Sequence, residues 1–121
     1  MRYHKDVYMP KKVKDKLEAH TKALNALKWQ YTSHSIDNLK ARCYDIPSLL
    51  LFIKGLQLDY SQVFEVYTNN SGSIEKACYR IDYSLFDIIL VVTPDKKIIT
   101  IYINDKQDKH ATLDKSIYTC T

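Results

Sequence analysis

The chain has 121 residues, a length that suits one domain built around one hydrophobic core. Its apolar content of 45%, its charged content of 26%, and the scarcity of glycine (2) and proline (3) exclude a disordered, collagen-like or linker-rich chain. A net charge of +4 favours an anionic partner over a cationic one, although a small basic excess also serves solubility alone.

The opening, "MRYHKDVYMPKK", has no apolar stretch after its basic residues and does not read as a signal peptide. Residues 10 to about 30 read as a first helix. Pro10 suits the first helical position, and Val13, Leu17, Leu24 and Leu27 fall near one face. His20 lies near that stripe and reads as a boundary or core residue. Ser33 or Ser35 is placed to cap a second helix over about 35–44, with Ile36, Leu39 and Cys43 on its apolar side. Pro47 opens a third helix, "PSLLLFIKG", over 47–55, and Gly55 ends it. Its run from Leu49 to Ile53 predicts the most buried helical piece.

From Gln62 the period changes from helical to alternating. "QVFEVYT" reads as a strand, and "NNSG" as the turn after it. "SIEKACYRIDY" alternates, with Ala77, Tyr79, Ile81 and Tyr83 on one face and Lys76, Cys78, Arg80 and Asp82 on the other. "DIILVVT" is continuously apolar from Ile88 to Val92 and predicts a central strand. "TPDKK" is a tight turn with Pro94 at its second position. "IITIYIN" is the last strand, with Ile99, Ile101 and Ile103 facing one way and Thr100, Tyr102 and Asn104 the other. The expected fold is a single α+β domain over 1–121: a helical half at about 10–55, a four-stranded antiparallel meander at about 62–104, and a tail at 105–121. The helices cover one face of the sheet.

The tail, "NDKQDKHATLDKSIYTCT", sets His110 among acids, lysines and hydroxyls, and its Leu113, Ile117 and Tyr118 gain by leaving water. Three cysteines without a CxxC pair argue against a disulfide framework or zinc site and fit a reducing cytoplasm. No apolar run approaches the roughly 20 residues of a membrane span. The acids around His110 lack the glycine and closing glutamate of a calcium loop. No phosphate-cradling glycine loop, nucleophile elbow or HExxH motif occurs. Neither metal nor cofactor is expected.

The uncovered sheet face is expected to carry Lys76, Arg80, Thr100, Tyr102 and Asn104. Those side chains suit a phosphate backbone and a base, and they also suit an ordinary solvated face. Metal-free cleavage of RNA through its 2′-hydroxyl needs one group to remove a proton, one to return it, and cations for the phosphorane. Histidine, with an unperturbed pKa of about 6.5, serves either proton transfer, and arginine binds phosphate bidentately. The chain offers His34 where the second helix opens, Arg42 two turns on, Arg80 on the uncovered face, and His110 beyond the last strand.

The stretch "HSIDNLKARCYDIPSLLLFIKG", the strand with "YRIDY", and "LVVTPDKKIITIYIN" together resemble a superfamily of small ribonuclease domains. It includes RelE-type toxins, colicin-type tRNA cleavers, barnase and EndoU enzymes. The resemblance spans roughly residues 33–114. It implies helices on a four-stranded antiparallel sheet (RelE/EndoU-like) and metal-independent endoribonuclease activity of toxin or phage type. His34, Arg80, His110 and Thr112 match its histidine, cation and hydroxyl roles. His34 and His110 would form the acid–base pair, with Arg80 steadying the phosphate and Thr112 positioning it. Arg42, Lys76, Thr100, Tyr102 and Asn104 would bind substrate. The long first helix and the histidine beyond the last hairpin depart from the pattern. The alternative expectation is a non-catalytic module that binds RNA or a protein and inhibits host machinery. RNA is the expected partner, with an antidote or host protein as a further one.

Overall fold

The structure, a computed structural model, describes residues 2–4, 9–41, 46–83 and 85–105. Arg42, His110 and Thr112, with the rest of the tail from 106 onward, lie outside the described residues. The fold is α+β. Helices α1 (Lys11–Leu24), α2 (Ser33–Ala41) and α3 (Ile46–Lys54) precede a 3-10 turn at Tyr60–Gln62 and the strands β3 (Val63–Thr68), β4 (Ile74–Tyr83), β5 (Phe86–Val92) and β6 (Lys97–Asp105).

The sheet has six strands, not the expected four. β1 (Arg2–His4) adds antiparallel to β3, and β2 (Gln30–Tyr31) adds parallel to β6, giving the order β1-β3-β4-β5-β6-β2. Both additions are edge strands of three and two residues, too short to show an alternation in sequence. Beyond β2, the edge of β6 is met by α2, whose Asn38 amide donates to the Ile101 carbonyl at 2.8 Å. The four central strands are antiparallel, as the meander predicts.

α1 buries a stripe of Leu17, Thr21 and Leu24. Thr21 Oγ1 and the Tyr79 hydroxyl share a hydrogen bond of 2.8 Å inside the core, which satisfies two polar groups that burial would otherwise penalise. The helix ends at Leu24 rather than near residue 30. The Asn25 side chain both donates to the Leu58 carbonyl and accepts from the Leu58 N–H, each at 2.8 Å, so it pairs with backbone 33 residues away. The chain then turns and enters β2. α2 begins earlier than expected, and its cap is Thr32. Thr32 Oγ1 accepts the Ser35 N–H at 3.0 Å, while Ser35 Oγ donates back to the Thr32 carbonyl at 2.8 Å. α3 buries Leu49 and Ile53, while Leu51, within the run expected to be the most buried helical piece, is 72% exposed. A helix lying on a sheet buries one stripe, and Leu51 is on the other side of it.

Both hairpin turns form where the sequence places them. Asn69 Oδ1 accepts the N–H groups of Ser71 and Ser73, and Gly72 takes the left-handed φ of 85° that the turn needs. At the β5–β6 turn the Lys96 N–H donates to the Thr93 carbonyl, and Lys96 is left-handed at φ 63°. A register shift between Val91 and Val92 then leaves Ile99 without a cross-strand partner. Ile98 and Ile101 therefore lie in the core under the helices, and Ile99 packs with the opposite cluster rather than with Ile101.

That opposite face is not open. Cys78, Ile89 and Tyr102 are 0% exposed, and Phe64, Val91 and Asn104 are buried beside them. The expectation of a solvated platform is corrected there: the face carries its own apolar cluster, which strand residues supply.

Candidate functional site: a cationic aromatic cleft

The sheet face singled out from sequence has the membership expected of it. Register sets Arg80, Ile89 and Tyr102 in one row, Glu65, Cys78, Val91 and Thr100 in the next, and Tyr67 beside Lys76. Tyr79, Ile81 and Ile101 lie on the helical side. The chemistry differs from the expectation because the charges are committed. Arg80 Nε donates to Asp87 Oδ2 at 2.6 Å, with both side chains mostly buried. The Lys76 ammonium sits 4.5 Å from the Tyr67 ring centroid. Tyr102 and Asn104 are buried, and Thr100 is half-buried.

Glu65, fully buried and cross-strand from both His4 and Cys78, is a residue that the sequence reading missed. Burial, reinforced by the Glu65 carboxylate, pushes the Cys78 thiol far up. A thiol enclosed in the core and held protonated is a poor nucleophile, which weighs against a cysteine-based site in this row. Burial first, and then Glu65, push the Tyr67 phenol up as well. Among the described residues no group of three His, Cys, Asp or Glu side chains is arranged to hold a metal. His34 is exposed in the first turn of α2, a helix whose buried Leu39 belongs to the core on the other side of the sheet. The described structure therefore gathers Lys76, Arg80, Thr100, Tyr102 and Asn104 on one face and sets His34 in the helical layer.

A different place gathers cations with no acid paired to them among the described residues. Past the ends of α1 and α3, a cleft of about 620 Å³ is lined by Trp29, Tyr31, Lys28, Lys54 and Lys96, with Leu27, Leu50 and Leu56 as apolar walls and Asn25 and Gln57 as amides. Among the described residues no carboxylate lines it. Its size falls within the range of small-molecule sites, about 300–1,000 Å³. Four segments of chain supply it: the α1–β2 connection, β2, the end of α3 with the loop after it, and the β5–β6 turn.

Lys96 is the unusual member. It is 4% exposed, and burial pulls its ammonium below the usual lysine range. Its Nζ donates to the Leu27 carbonyl at 2.9 Å and lies 4.5 Å from the Trp29 ring centroid. The Gln30 N–H donates to the Lys96 carbonyl at 3.0 Å, and the Gln30 side chain to the Asp95 carbonyl at 3.1 Å, so β2 and the turn are tied together. A left-handed backbone costs a lysine roughly 1–2 kcal/mol, a conformation that glycine adopts freely. Part of this cation set serves the fold: Lys96 caps a carbonyl past the end of α1, and Lys54 sits in the last turn of α3, where a positive charge is favoured. Lys28 and Lys54 are nevertheless exposed, and Lys96 uses one hydrogen-bond donor of three on Leu27.

The one sequence signal for this site is "KWQY", two aromatics directly after one lysine at residues 28–31, at the end of the stretch expected to form the first helix. No known family, curated protein or solved structure matches the chain.

Proposed function

We propose that the chain is an RNA-binding module that receives single-stranded RNA in the cleft beside Trp29 and Tyr31. One observation carries the reading: two aromatic rings and three lysines line a single cleft, with no acid among the described residues that line it. Bases stack on aromatic rings with about 1–3 kcal/mol each, whatever their identity, while lysines neutralise the phosphates. The chain's +4 charge adds long-range attraction for the same partner.

Fluorescence anisotropy of a labelled single-stranded RNA against the full chain tests this. Binding should weaken steeply with salt, and Trp29→Ala or Tyr31→Ala should weaken it roughly tenfold or more. Circular dichroism of each variant separates lost binding from lost folding. Absence of binding to any single-stranded RNA at low salt overturns the reading, as does a folded Trp29→Ala variant of unchanged affinity.

The second reading is the metal-independent ribonuclease implied by the resemblance to RelE-type and EndoU-type domains. It is favoured by the shared face of Arg80, Thr100 and Tyr102. The Arg80–Asp87 pair and the burial of Tyr102 weigh against that face as an active site. RNA incubated with the protein in EDTA decides: cleavage that spares a 2′-deoxy substrate restores the catalytic reading, and intact RNA leaves the binding module.

A further inference from the structure

Stacking and a diffuse positive field suffice for single-stranded RNA, and exposed Lys28 and Lys54 supply the field. Lys96 does something more. It lines the same cleft while almost wholly buried, on a backbone turned left-handed, with its ammonium fixed between the Leu27 carbonyl and the Trp29 ring. Glycine or asparagine fills this turn position at lower cost. The chain thus holds a fixed, partly dehydrated cation in the wall of the cleft against both strain and desolvation.

Such a cation is matched by concentrated negative charge. An internal phosphodiester carries a single charge and enters with a sugar on either side. A terminal phosphomonoester carries about −1.5 to −2 at neutral pH, presents three acceptor oxygens, and enters end-on. We propose that the cleft takes the terminal phosphomonoester of a nucleotide, with the phosphate meeting Lys96 and Lys54 and the base against the aromatic wall, in preference to an internal phosphodiester. The proposal rests on the RNA-binding reading above and names the part of the RNA that the site selects.

Trp29 is the only tryptophan, so its emission reports on the cleft directly. The full chain is titrated with oligouridylates of one length bearing a 5′-phosphate, a 3′-phosphate or hydroxyl ends alone, and with uridine monophosphate as competitor. One phosphorylated end should bind about tenfold tighter than the hydroxyl-ended oligomer, the scale of a charge-assisted hydrogen bond. That preference should shrink below about pH 6, where the second phosphate proton returns. Lys96→Met should collapse the preference. Lys54→Gln, which leaves the hairpin untouched, should reduce it and keeps the test open if Lys96→Met does not fold. Competition by uridine monophosphate equal to that of the phosphorylated oligomer identifies a free nucleotide as ligand; weaker competition identifies an RNA end. Equal affinity for phosphorylated and hydroxyl-ended oligomers overturns this inference and leaves RNA binding standing. A phosphate preference undiminished in folded Lys54→Gln and Lys96→Met also overturns it. Failure of every oligomer to bind overturns both.

Discussion

The sheet face of Arg80 and Tyr102 and the cleft of Trp29 and Lys96 hold similar side chains, cations beside aromatics, yet they differ in what those groups can still do. On the sheet face Arg80 is spent on Asp87, and Tyr102 is fully buried. In the cleft three lysines and two rings line one space, with no carboxylate among the described lining residues. Composition alone does not distinguish a buried polar layer from a binding site. The difference lies in whether charge is paired and whether the rings remain accessible.

The comparison breaks most visibly if the sheet face is really a surface. Tyr102→Ala should cost about 3–5 kcal/mol of stability, as truncating a buried aromatic does, and should leave RNA affinity unchanged in the fraction that folds. Urea unfolding measures it; a loss under about 0.5 kcal/mol, the range of ordinary surface substitutions, would make that face a solvated platform after all. Asp87→Ala should come next, at about 1.5–3 kcal/mol, because it strips a mostly buried guanidinium of its carboxylate. If it instead raises RNA affinity at no cost in stability, Arg80 is a phosphate ligand held in check, and the sheet face regains its claim. The cleft lysines should behave in the opposite way. Lys28→Gln and Lys54→Gln should each change stability by less than about 0.5 kcal/mol. Each should also flatten the slope of log affinity against log salt by about 0.7. A salt slope that does not move with either lysine removes them from the phosphate path.

How much of this was legible in the sequence follows from the range of each signal. β4 alternates over its whole length, and which of its residues share a face was readable from period alone; so were the continuous apolar β5 and the turn at Asn69. What was not readable depends on distant chain. α1 stops at Leu24 because Asn25 finds the backbone of Leu58, and Ile99 changes sides because β5 and β6 slip in register. β1 and β2 exist only because β3 and β6 offer them edges. For the functional residues, alternation placed Arg80 and Tyr102 together but carried no information on the Asp87 partner or on burial. The cleft has no period at all, since four segments supply it, and Lys96 in a hairpin turn looks from sequence like any solvated lysine.

Dehydration of a cation links the cleft to the helical layer and gives the smallest of the expected effects. Lys96 and His20 are both pulled below their usual pKa by burial. In each case the unfolded chain binds its proton more tightly than the folded one, so stability rises with pH between the folded and unfolded values. For Lys96 the upper edge of that window is the usual lysine value of 10.5. For His20 the upper edge is the usual histidine value of 6.5. Above it the residue is neutral in both states and its contribution is constant. As pH falls below it the unfolded chain takes up the proton first, and stability declines until the folded value is passed. Chemical unfolding of the wild type and His20→Gln across this range checks the sign: the gap between them should be flat above about pH 7 and should shift against the wild type as the solution is acidified. A gap that stays constant through pH 6.5 and below would mean that His20 titrates alike in both states and that α1 leaves its ring wet.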